Sequence, residues 1–130
     1  MTFNRLCSSL LALAIGAGVC PAFAGSRIVV PVAINDSAHY AEGTIVDARA
    51  STDGNQMIGC LFGTTAATCF AITASGASKV CSTSDVSQLN AIRAIEPESM
   101  IRFYWNTDGT CSYLLIENSS RVKPAATTGY

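Results

Sequence analysis

The sequence predicts a mostly β domain: a small antiparallel β-sandwich or curled sheet with one short α-helix, stapled by two disulfides. Three observations lead there. Apolar residues come in short β-branched runs rather than at helical spacing. Clusters of Gly, Asp, Asn and Thr separate those runs as turns would. Cys60, Cys69, Cys81 and Cys111 lie on or beside the runs, spaced too widely for a C-x-x-C pair.

Composition narrows the function classes. The chain is 49% hydrophobic and 13% charged, which excludes a disordered polymer. Eight Lys and Arg against nine Asp and Glu leave a net charge of −1, so no basic field gathers phosphates, and no nucleic-acid partner is expected.

The amino-terminal stretch reads as an export signal. Arg5 precedes an apolar run from Leu6 to Val19, and Ala22-Phe23-Ala24 places small residues at −3 and −1 of a cleavage site before Gly25. The run is roughly 14 residues where a membrane span needs about 20, so residues 1–24 are expected to be a signal peptide, with no membrane anchor once it is removed. Cys7 and Cys20 leave with it. The expected product is a single disulfide-stapled β domain over 25–119 with a flexible tail over 120–130, periplasmic or extracellular.

Ser26 to Ile34 alternates Ile28, Val30, Val32 and Ile34 and carries Pro31 in its middle, which predicts an edge strand. Runs at 44–50, 57–62 and 69–73 have strand lengths. From Val86 the period changes, with Leu89, Ile92 and Ile95 following at threes; Ser84 or Asp85 can cap and Pro97 stops the run, so a helix is predicted over 85–95. Runs at 99–105 and 111–117 flank Asp108-Gly109, a strong hairpin signal.

Four cysteines in an exported chain imply two bridges. If Ala74-Ser75-Gly76 is a three-residue loop with Gly76 left-handed, Cys69 faces Cys81. A hairpin centred on Thr65 turns Cys60 and Cys69 to opposite faces. The expected pairing is therefore Cys69–Cys81 and Cys60–Cys111.

Catalytic chemistry finds few groups. His39 is the one histidine and sits in a polar segment with Asp36, Ser37 and Glu42, which reads as a solvated loop rather than a triad, with no G-x-S-x-G elbow. No carboxylate pair stands out for glycoside hydrolysis, and Asp53-Gly54 and Asp108-Gly109 read as turns rather than calcium loops. No catalytic residue, metal ligand or cofactor is expected. Binding capacity is sought instead in Tyr104, Tyr113 and Arg102: Tyr104 and Arg102 share a strand face, and Tyr113 lies across the hairpin. Trp105 is expected in the core, against a Cys60–Cys111 bridge. The expectation is a small exported non-catalytic module, binding or structural, that acts on a protein or a cell-surface glycan. The alternative is an inhibitor of a secreted or periplasmic hydrolase, inserting Ala74–Ser78 held rigid by a bridge at its base.

Overall fold

A computed structural model describes residues 27–123. The expected signal peptide, and the tail from 124 onward, lie outside the described residues. Two antiparallel sheets share one core. The first has strand order β1 (Ala33–Asn35), β2 (Tyr40–Thr44), β6 (Met100–Trp105), β7 (Cys111–Glu117), and the second β3 (Met57–Phe62), β4 (Ala67–Ile72), β5 (Ser78–Thr83). Among the described residues two helices accompany the sheets, α1 (Ile45–Ala50) and α2 (Val86–Arg93).

The inward-facing side chains come from alternate positions of both sheets. Phe103, Ile101 and Ala41 from the first meet Cys69, Ala71 and Cys81 from the second, all essentially without solvent contact. Leu89 and Ile92 of α2 complete this cluster. Asp85 caps α2 as its sequence suggests, accepting from Gln88 N at 3.0 Å.

Helix α1 corrects the strand expected at 44–50. Thr44 is its N-cap and Asp47 its third residue: Thr44 Oγ1 accepts from Asp47 N and donates to Asp47 Oδ2. That Thr-x-x-Asp exchange starts the helix although Ile45 and Val46 favour strands, and Ile45 N finds Ser99 O at 3.1 Å.

The edge strand is in place but short. The alternation of 28–34 turns Val32 into the core, yet only 33–35 pair with β2. Upstream the chain is a strap whose amides go elsewhere: Ile28 N to Arg121 O at 2.9 Å, Val30 N to Asp47 Oδ2 at 2.9 Å and Val32 N to Gln56 Oε1 at 2.8 Å. Pro31, having no N–H, loses nothing in such a strap. Gly43 makes room for it, since a Cβ there would lie 3.1 Å from Val32 Cα. Within the segment expected to fray, Val122 is fully buried and Arg27 Nε donates to its carbonyl at 3.2 Å.

The bridges are Cys60–Cys69 and Cys81–Cys111, which corrects the expected Cys60–Cys111 and Cys69–Cys81. The β4–β5 register is as expected: the loop has Gly76 at φ 84° and Cys69 faces Cys81. The β3–β4 turn differs by one residue. It closes through Gly63 N to Ala66 O at 2.8 Å, and this puts Cys60 opposite Cys69 rather than opposite Phe70, whose partner is Gly59. Counting back from that bond, Cys60 and Cys69 form a non-hydrogen-bonded pair, the narrow kind, with Cα atoms 4.0 Å apart. Counting from Thr73 N to Ala77 O, Cys69 and Cys81 fall in the wider hydrogen-bonded kind. A bulge at the Tyr104/Trp105 step leaves Ser112 unpaired and turns Cys111 inward, to within 5.0 Å of Cys81 between Cα atoms. In the chain-entropy model loops of 9 and 30 residues are worth roughly 3 and 4 kcal/mol.

The outer face of β3–β4–β5 carries Met57, Leu61, Phe70, Ile72 and Val80 with Thr68, Ser78 and Ser82, and no charge. Leu61 is 70% exposed and Val80 53%.

Two outcomes are expected. Trypsin cuts after Arg49, Lys79, Arg93 and Arg102, so a map of unreduced protein will show peptide 50–79 closed on itself and peptide 80–93 joined to 103–121; a link between 50–79 and 103–121 refutes the pairing. Asp47→Ala strands Arg27 and frees Val30 N and Thr44 Oγ1, and should cost about 2–4 kcal/mol in urea unfolding. Burial raises the Asp47 pKa, but hydrogen bonds from Thr44, Val30 and Arg27 outweigh it and hold the carboxyl below the ordinary 3.8. Its stabilisation is therefore complete above the unfolded value and lost as pH falls from about 4 through the lower folded value. The acid limb of the stability curve should flatten in Asp47→Ala.

Candidate functional site

Strand β6 reads Met-Ile-Arg-Phe-Tyr-Trp, and its alternation settles which side chains leave the core. Ile101 and Phe103 point inward and are fully buried, so Arg102 and Tyr104 stand on the other face. β2 pairs on one side, bringing Tyr40 opposite Tyr104 and Glu42 opposite Arg102. β7 pairs on the other, bringing Tyr113 opposite Tyr104 and Leu115 opposite Arg102. Asn35 of β1 extends the first row beyond Tyr40.

The result is a ladder of three phenol rings across three strands. Tyr40 and Tyr104 have ring centroids 5.6 Å apart at 45°, and Tyr104 and Tyr113 5.8 Å apart at 59°. Tyr113 is 55% exposed. Beneath the ladder Arg102 lies 5.3 Å from the Tyr40 centroid, donating from Nε to Glu42 Oε2 at 2.7 Å and again from its terminal nitrogen. The bonds donated to Glu42, more than the lesser contact with Tyr104, hold the guanidinium pKa above its ordinary value, so Arg102 stays charged and Glu42 balances it. The face is locally neutral, aromatic and edged by polar groups. A half-exposed ion pair of this kind adds well under about 1 kcal/mol to stability and serves mainly to fix the Arg102 head.

Tyr113 also borders an open cleft of about 470 Å³ between α2 and β7, lined by Asp85, Ser87, Gln88 and Ser112. Gln88 Nε2 donates to Cys111 O at 3.3 Å, while its Oε1 is buried with no hydrogen-bond partner among the described residues.

The structure brings Tyr104, Tyr113 and Arg102 together as their spacing suggests, and adds Tyr40 and Glu42, which the sequence left in a polar loop. Their signal was weak because the inward positions between and after them are Ala41 and Gly43, too small to give an apolar alternation. His39 is in the left-handed region at φ 53° and stacks on Trp105 at 5.9 Å and 19°. Neither neighbouring carboxylate orients it: Asp36 pairs with Lys79 at 2.8 Å and Glu42 with Arg102. Trp105 is half-buried beside Phe103, with Lys79 Nζ 5.3 Å from its ring and Cys111 opposite in register, so the bridge next to it runs to Cys81 rather than to Cys60. The loop Ala74–Ser78 lacks the basal bridge expected of it; the bridge on β4 closes the neighbouring β3–β4 turn instead.

Asp53 and Asp108 serve their own turns. Asp53 accepts from Asn55 N at 2.8 Å, Asp108 from Thr110 N at 2.9 Å and Thr110 Oγ1 at 2.7 Å. Among the described residues no cluster of His, Cys, Asp and Glu is arranged to hold a metal, and no helix is long and apolar enough to cross a membrane. Two disulfides are consistent with an extracellular or periplasmic location. The chain matches no protein-family model, and no curated protein or solved structure is significantly similar to it.

The two faces of β6 should separate in mutagenesis. Phe103→Ala is expected to cost about 3–5 kcal/mol in urea unfolding, as a fully buried ring does, and Tyr104→Ala less than about 1.5 kcal/mol because its face is open to water.

Proposed function

We propose that the protein is an exported, non-catalytic binding module that holds a neutral glycan of a cell surface on the Tyr40–Tyr104–Tyr113 face. The observation that carries this reading is the ladder itself: three tyrosines in register on the outer side of a sheet whose inner side is core. Phenol rings offer apolar faces to the C–H side of a sugar ring and hydroxyls to its rim, a match for a ligand that is apolar on one side and polar at its edge.

Charge and shape support the same ligand class. Arg102 and Glu42 neutralise each other, so the face neither attracts nor repels a ligand by net charge, while both remain near enough to orient hydroxyls. The cleft beside Tyr113 supplies further polar partners at the end of the row, the side chains of Asp85, Ser87, Gln88 and Ser112. A rigid sheet holds the three rings in position, so little ordering opposes binding. Export by the signal at 1–24 brings the module to such glycans.

A glycan array probed with the oxidised domain tests the reading, followed by titration calorimetry on the best ligand. Binding to neutral glycans is expected, with at least a tenfold loss in Tyr104→Ala and a smaller loss in Gln88→Ala. Retention of full affinity in Tyr104→Ala, or binding confined to charged glycans, would overturn it.

A further inference from the structure

Four sulfurs lie in one row across the molecule. Cys60 on β3 faces Cys69 on β4, and Cys69 faces Cys81 on β5. Beyond β5 the chain entering β7 runs alongside, with Ser82 bridged to Thr110 and Ser82 N bonded to Gly109 O at 3.0 Å, and Cys111 there joins Cys81. The bridges use the outer links of this row and leave the middle link, Cys69 to Cys81, unmade. The Cα atoms of the middle link are within disulfide reach: a hydrogen-bonded antiparallel pair sets them about 5.5 Å apart, inside the range of about 4.4–6.8 Å that disulfides span, while the Cβ atoms, about 5.5 Å apart in such a pair, must close by about 1 Å as the bond forms.

Burial gives the row a direction. Cys69 and Cys81 are 0% and 1% exposed and Cys111 8%, while Cys60, on the outer strand, is only partly buried. Cys60 is therefore the most exposed of the four cysteines to an external thiolate. At the far end Cys111 borders an open cleft of about 400 Å³, lined also by Ala66, Ser84, Asp85 and Thr110.

We propose that this row is a thiol–disulfide relay: reduction by a small external thiol enters at Cys60 and emerges at Cys111, leaving a new Cys69–Cys81 bond. The thiolate attacks Cys60 Sγ, forms a mixed disulfide there, breaks Cys60–Cys69 and leaves the electron pair on Cys69 Sγ. Cys69 Sγ, shut off from solvent and facing Cys81, attacks Cys81 Sγ; the Cys69–Cys81 bond forms, Cys81–Cys111 breaks, and Cys111 departs as thiolate and takes a proton from water. A second external thiolate attacks its own kind in the mixed disulfide, releasing the oxidised external disulfide and a Cys60 thiolate that is protonated in turn. Two external thiols are oxidised to one disulfide, and the protein gains two electrons and two protons. Displacement at sulfur requires Cys69 Sγ to approach Cys81 Sγ from the side away from Cys111, and Cys69 and Cys111 come to Cys81 from different strands, β4 and β7. This site is independent of the tyrosine face.

The test is partial reduction of the oxidised protein with limiting glutathione, followed by acid quench, alkylation with iodoacetamide and tryptic mapping. Molecules that have lost one bridge are expected to carry peptide 50–79 joined to 80–93, with the label or glutathione on Cys60 and the label on Cys111, as the majority species. Label on Cys60 and Cys69 with Cys81–Cys111 intact, or on Cys81 and Cys111 with Cys60–Cys69 intact, overturns the relay. The variant Cys60→Ser starts with Cys69 as a thiol. Native-state labelling of Cys111 in this variant supports the exchange, and labelling confined to Cys69 refutes it; if the variant does not fold, the wild-type map decides alone.

Discussion

The carboxylate of Asp47 receives Arg27, Val30 N and Thr44 Oγ1 together, and the course of the chain on either side follows from that convergence. Behind it β2 must end at Thr44 and become helix. Ahead of it the strap 27–32 is held by the side chains of Asp47 and Gln56 and by single backbone bonds to Thr44 and Arg121 instead of a strand ladder, and only 33–35 pair with β2. Since β2 is the strand that delivers Tyr40 and Glu42 to the outer face, the tyrosine face depends on a carboxylate on the far side of the strand's end. A part-buried acceptor with three donors is costly to mispair, and that cost favours this junction over others.

Much of the fold was legible because local chemistry and tertiary outcome agree. Asp85 capping α2, Gly76 and Gly109 in left-handed turns, and the strict alternation of β6 are each readable within a few residues. What escaped was decided at a distance or by a single residue of slip. The β3–β4 turn differs from the expected one by one position, and with a side-chain period of two that exchanged the disulfide partners. The Thr44-x-x-Asp47 signature was present, but the β-branched Ile45 and Val46 outweighed it in a six-residue segment. The bulge at Ser112 that turns Cys111 inward leaves no mark in composition at all.

The site was half legible for a related reason. Tyr104, Tyr113 and Arg102 follow from one hairpin with a clear turn, whereas Tyr40 and Glu42 join through pairing of β2 with a strand some sixty residues later. That pairing requires β2 to be thin on its inner side, because the strap passes over Gly43. Small residues that permit close approach of two chains look, in sequence, like loop.

The outer face of the second sheet sets the molecule's behaviour in solution. Met57, Leu61, Phe70 and Val80 present an uncharged apolar surface on the side away from the tyrosines, so the domain is wetted unequally. Contacts made through such a surface are not relieved by adding salt; sulfate and phosphate strengthen them and mild urea loosens them. Concentrated stocks of the protein should therefore keep best in low-salt buffer near neutral pH, with colloidal stability carried by the remaining surface and its slight excess of negative charge.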